Sequence, residues 1–170
     1  MASFTDRMVG AAFLNVPIYE EVEADTTATA QAAMVVIIAS IAGAIGSFSL
    51  GPSAALGHLL MALLGWLIWS GVTLLIGVHV FGGTATWGEL LRTLGFAHAP
   101  AVLYVLGIIP IIGSLIVYAA MIWMLICGII AIRQALDFST GKAVLTALLG
   151  WILLIIPSLI LGRMFMTVSV

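Results

Sequence analysis

Five long apolar runs, separated by short polar or glycine-proline breaks, organise the chain. The first covers 32–50 (AAMVVIIASIAGAIGSFSL) and stops at GPS, 51–53. The second and longest is 55–81, followed by the polar link GGTATWGE. The third occupies 90–109, inside LRTLGFAHAPAVLYVLGIIPIIG, and the fourth runs from 114 to 132 and ends at Arg133. DFSTGK, 137–142, makes the next polar turn, and the fifth run, 143–162, is closed by Arg163. Each approaches the ~20 residues that a spanning helix needs. Backbone groups in lipid must satisfy one another, and no run alternates as a barrel strand does, so the runs are helices. The pattern predicts an all-α integral membrane protein, a five-transmembrane-helix bundle over 32–163. An N-terminal segment, 1–31, precedes it, and a short tail, 164–170, follows.

The third run is the irregular one. Pro100 cannot donate a backbone hydrogen bond to the carbonyl of Phe96, so a helix through it must kink. A helix started at Pro100 and stopped at Ile109 would rise about 15 Å, too little for a ~30 Å core. Started near Leu90 it would reach about 30 Å. The expectation is therefore a kinked spanning helix anchored by Trp87 and Arg92, with a re-entrant hairpin of the third and fourth runs as the alternative. The turn beyond it, PIIGS, is almost wholly apolar. Lipid cannot satisfy its open backbone, so it should be buried against protein or set in the headgroup zone.

Ahead of the first span, SFTDRMVGAAFLNV predicts a short interfacial helix. Ser3 and Asp6 form a loose capping box, and Phe4, Met8 and Ala11 share a face. PIYEEVEADTTATAQ then brings Glu20, Glu21, Glu23 and Asp25 close together. Such a run reads as a solvated acidic helix entering the membrane, or as a docking face for a basic partner.

Composition sharpens this picture. Hydrophobic residues make up 64% of the chain and charged residues 7%, against roughly 25% charge in soluble domains. The solvent is lipid. Five Lys/Arg and a net charge of −2 exclude a phosphate-binding face and with it nucleic acid as a partner. The N-terminus lacks the apolar core and cleavage site of a signal peptide. With that terminus inside, Arg7, Arg92, Arg133 and Lys142 face the cytoplasm and Arg163 faces out, the sense of the positive-inside rule.

Candidate chemistry is sparse. His58 and His79 are separated by about 31 Å on one helix and cannot share a metal. His79 and His98 belong near the cytoplasmic ends of adjacent spans, close to Glu89. A metal there needs more ligands than the spacing supplies. Any of His58, His79 and His98 is a candidate cofactor contact, since an axial haem ligand needs one histidine only. No metal and no resident cofactor is expected. None of the spans has a charge at its centre, which argues against a transporter, and the arginines at the ends can snorkel. STGK, 139–142, lacks the upstream glycine and strand of a phosphate loop. Cys127, the lone cysteine, sits in an apolar run and reads as a packing residue.

Small residues carry more information. Ala39 with Gly43, Ala42 with Gly46, and Gly43 with Ser47 repeat at a spacing of four, and Ser158 with Gly162 repeat it in the fifth run. That spacing lets helices approach closely, either within this chain or against a neighbouring subunit. Trp66, Trp69, Trp123 and Trp151 lie within spans, where they can fill gaps between helices or face a partner.

Three segments carry a resemblance. GFAHAPAVLYVLGIIPIIG, then IWMLICGIIAIRQALDFSTGKAVLTALLGWI, and at the N-terminus RMVGAAFL…YEEVEAD…ATAQA, are similar in order and spacing to bacterial members of the Yip (Ypt-interacting protein) family. The resemblance covers nearly the whole chain and contains no catalytic motif. It implies a five-span protein with a cytoplasmic N-terminus, in a bacterial inner membrane. Eukaryotic relatives act in vesicle traffic and bind prenylated small GTPases. This chain lacks both their long N-terminal region and a DLYGP-type motif, so GTPase binding is not carried over.

These observations lead to a non-enzymatic membrane protein, an accessory or scaffolding subunit of a larger assembly, with lipid and other membrane subunits as partners. A membrane-organising protein is the alternative. A channel or transporter and a pigment- or haem-binding subunit come after it.

Overall fold

The computed structural model describes residues 2–47 and 52–153, with side chains at all of these except 52–59. Among them every regular element is a helix. Two short helices come first: α1, Phe4–Ala12, and α2, Val16–Ala24. Longer ones follow: α3, Ala28–Gly46, and α4, Pro52–His79. The kinked element is α5, Trp87–Ala97, continued by a 3-10 helix over Ala99–Ile108. Then come α6, Ile112–Ala135, and α7, described over Thr140–Leu153.

Four stretches are long and apolar enough to cross a membrane: Ala28–Gly46, Leu60–His79, Trp87–Ile108 and Ile112–Ala135. α7 is apolar but shorter over its described residues. The rest of the fifth run, with Ser158 and Gly162, lies outside the described residues, as does the tail. The chain is a multi-pass membrane protein.

Local chemistry sets the boundaries. Ser3 and Asp6 form a reciprocal capping box at α1, and Thr86 and Glu89 form another at α5. Each pair satisfies two amides that the first helical turn leaves open. The kink falls where Pro100 removes a donor. Ala101 bonds to His98 across three residues, 2.9 Å, and the chain continues as 3-10 helix to Ile108.

This conformation lengthens the span. Eleven α-helical residues rise about 16 Å, and ten in 3-10 form about 20 Å rather than 15. The path of about 36 Å crosses a ~30 Å core with the kink included.

α3 and the kinked element form the centre of the bundle: over an apolar 18-residue stretch of each, 44% and 50% is buried, against 28% in α4 and 22% in α6. Glycine makes the central crossing close. A Cβ at Gly95 would meet the Ala32 backbone at 3.2 Å, and one at Gly46 would overlap the carbonyl of Tyr104. The small-residue stripe of the first span is thus spent inside the chain. Ala39, Ala42 and Gly43 are buried, and Gly46 abuts the 3-10 helix. The outer flanks of α4 and α6 present Leu60, Met61, Leu64, Leu115 and Ile122, as lipid-facing surfaces do.

Candidate interaction site at the N-terminal hairpin

The N-terminal segment and the acidic run each form a short helix, α1 and α2, and the two fold back on each other around Phe13–Asn15. Leu14 turns the chain with φ of 60°, and Pro17 starts α2 in its first turn, where its missing N–H costs nothing.

The acidic residues expected to meet a partner are largely occupied within the chain. Arg7, only 1% exposed, places Nη2 2.8 Å from Glu21 Oε1 and 2.8 Å from Asp25 Oδ2. Its Nη1 donates to Gln31 Oε1 at 3.0 Å, so one guanidinium ties α1 to α2 and to the start of α3. The fork of an arginine suits such bridging. The Arg7 bond holds the Glu21 carboxyl below its ordinary range. Thr27 first, then Arg7, does the same for Asp25. Glu20 accepts from Gln134 Nε2 at 3.0 Å, which links α2 to α6.

Glu23 differs. Partial burial pushes its carboxyl up to about 7, and the nearby Glu89 and Asp137 push in the same direction. Like Glu20, it makes no direct ion pair among the described residues.

Arg92, expected to snorkel, is 6% exposed and turned inward. Its Nε donates to the carbonyls of Val22 and Glu23 at 3.0 and 3.1 Å. Those carbonyls end α2, the negative pole of that helix, and a cation there stabilises it. Sequence reasoning missed Arg7 and Arg92 as structural clamps. Their neighbours in space lie 14 to 70 residues away, and spacing along the chain contains no trace of that.

At the closed end of the hairpin, three side chains reach two successive carbonyls. Tyr19 Oη donates to Ala11 O at 3.0 Å and Trp123 Nε1 to Ala12 O at 2.6 Å, while Cys127 Sγ lies 3.6 Å from Ala11 O. Cys127 is therefore a buried contact of α6 with α1.

The histidines are dispersed. His79 is exposed at the end of α4, with Nδ1 3.1 Å from Leu75 O. The backbone of His58 lies in α4, and its side chain is outside the described set. Among the described residues no three His, Cys, Asp or Glu side chains gather as a metal site. His98 lines an apolar cleft of about 500 Å³ between α4, α5, α6 and α7, with Trp66, Trp69 and Trp151 among its walls. Its Nδ1 lies 2.8 Å from Leu94 O. A carbonyl only accepts, so Nδ1 carries the proton and Nε2 of the neutral ring is an acceptor.

The Yip1 domain model matches residues 17–161, most of the chain, from the first turn of α2 into the fifth apolar run. The chain belongs to the Yip1 family. No curated protein and no solved structure matches it. The family match begins at Pro17, so α1 and its arginine lie before it.

Proposed function

We propose that this Yip1-family protein is a non-enzymatic scaffold, an accessory subunit that sits in the membrane beside larger partners. The observation that carries this reading is the clamped polar end of the bundle. Arg7, Arg92 and Gln134 fix α1 and α2 onto α5 and α6, so the loops at that end are held as a firm platform. A firm surface loses less entropy on binding than a mobile one. The spans offer a wide apolar flank on α4 and α6 for neighbouring helices or lipid. The described spans hold no cluster of charge suited to ion translocation or catalysis.

The orientation that goes with this reading has the clamped end in the cytoplasm of a bacterial inner membrane, in accord with the basic residues it gathers. Lipid and other membrane subunits are the partners in this reading; nucleic acid is not among them, and small-GTPase binding is not carried over from the eukaryotic relatives.

Isolation from native membranes in a mild detergent tests the proposal. The expected result is stoichiometric recovery of a larger membrane complex. Recovery of this chain alone, stable and colourless, would sink the accessory-subunit reading. One observation favours the membrane-organising alternative: Val9 and Phe13 are 50% and 75% exposed on the hairpin, an apolar surface available to lipid. Vesicles reshaped by the purified chain, with no partner present, would establish it.

A further inference from the structure

No charge stands in the half of the N-terminal hairpin nearest its turn. Asp6 and Arg7 stand on one arm and Glu20, Glu21, Glu23 and Asp25 on the other. Between them, residues 8–19 (MVGAAFLNVPIY) include no charge at all. A surface helical hairpin has no reason to segregate charge along its length. A hairpin that enters an apolar medium tip first does.

Depth can be read from α6, against which the tip is bonded. Arg133 closes the apolar part of that helix. Cys127 lies six residues before it and Trp123 ten, or about 9 and 15 Å along the axis. Side chains on a helix lean toward its N-terminus, here away from Arg133. The carbonyls of Ala11 and Ala12, met by Cys127 and Trp123, thus stand well below the polar level. Each nine-residue arm is about 13 Å long, which agrees with that depth and stays within one half of a ~30 Å core.

The turn is also chemically dry. Phe13, Leu14 and Asn15 donate their amides to Val9, Ala11 and Gly10 at 2.9 to 3.1 Å. Tyr19 and Trp123 donate to the carbonyls of Ala11 and Ala12. A turn bathed in water would not require indole and phenol donors for its carbonyls. Irregular backbone at membrane depth does require protein partners of this kind. Phe13 meanwhile is 75% exposed at the tip of the hairpin.

We propose that α1 and α2 form a re-entrant wedge, inserted tip first into the leaflet on the side of Arg92, Arg133 and Lys142. Its ligand is the acyl-chain region of that leaflet, contacted by Val9 and Phe13. The wedge adds protein volume to one leaflet only. It is independent of the scaffold reading and stands whether or not a partner complex exists.

The test uses the full chain in phospholipid nanodiscs. With Cys127→Ala as background, Phe13→Cys and, separately, Thr26→Cys at the open end are labelled with an environment-sensitive fluorophore. The label at 13 is expected to be quenched several-fold more by lipids carrying a nitroxide on the acyl chain than by aqueous iodide, and the label at 26 the reverse. Equal iodide access at both positions would overturn the proposal. Should the cysteine-free background not fold, a photoreactive phenylalanine analogue at position 13 of the otherwise unaltered chain decides the matter. Phospholipid adducts on the acyl chain support the wedge, and cross-links to water-soluble probes only would refute it.

Discussion

Gly46 at the end of α3 lies so close to Tyr104 in the 3-10 helix that a Cβ on the glycine would overlap the tyrosine carbonyl oxygen. Backbone meets backbone at this point, and neither side can withdraw by changing a rotamer. Gly107 completes the crossing, since a Cβ there would meet the Gly46 carbonyl oxygen at 3.2 Å.

Gly46→Ala is therefore expected to destabilise the bundle by at least the ~1–3 kcal/mol typical of overpacking. Gly128→Ala on α6 makes the control, because nothing stands within 4 Å of a Cβ there. Thermal unfolding in detergent micelles should show a clear loss for the first variant and little change for the second. Equal melting temperatures would refute the close crossing.

Most of the fold was legible in the sequence, and the reason is the solvent. Lipid demands long apolar runs, so an all-helical, multi-pass chain could be read from them. Pro100 announced the kink through its missing donor. What it did not announce was the 3-10 form of Ala99–Ile108, because the packing of α3 against that stretch is a tertiary effect. The hairpin was legible only in part. Ser3 and Asp6 marked its start, but the fold-back at Leu14 involves a positive φ in a residue that carries no turn signature. The acidic run was visible, while the use of Glu21 and Asp25 by Arg7 was not, since an ion pair between helices leaves no periodic pattern.

Ile111 provides a second prediction. Its φ of 66° and ψ of −61°, with Ile112 N bonded to Pro110 O at 2.8 Å, describe a γ-turn of the strained, positive-φ kind. A β-branched residue is disfavoured there, and at 87% exposure its side chain gains little from packing against the protein. Ile111→Gly should raise stability by about 1 kcal/mol through relief of that strain. A lower melting temperature in detergent would instead assign Ile111 a packing role.

Tyr19→Phe tests how the tip of the hairpin is held. The change removes the bond to Ala11 O and keeps the buried ring in place. Loss of about 1 kcal/mol is expected, together with faster amide exchange in α1 than in α3. If exchange accelerated equally in both helices, the hairpin and bundle would be opening as one unit.

The pH dependence of the clamp has two opposing limbs, and their signs follow from the acids involved. Glu21 and Asp25 have lowered folded values, from ordinary ones of 4.5 and 3.8. Their contribution is present above those ordinary values and is lost as pH falls through the lower folded ones. Glu23 has a folded value raised from 4.5 to about 7. The folded state therefore holds its proton more tightly than the unfolded state does. The stability this confers is complete below 4.5 and is lost as pH rises through about 7. Docking of α2 onto α5 should accordingly be firmest in mildly acid solution and should loosen toward pH 8. Glu23→Gln, which cannot ionise, should abolish the alkaline limb and leave the acid limb in place. Protease protection of residues 16–24 in nanodiscs, followed across pH for both proteins, measures this. An unchanged alkaline limb in the variant would assign the loosening to another group.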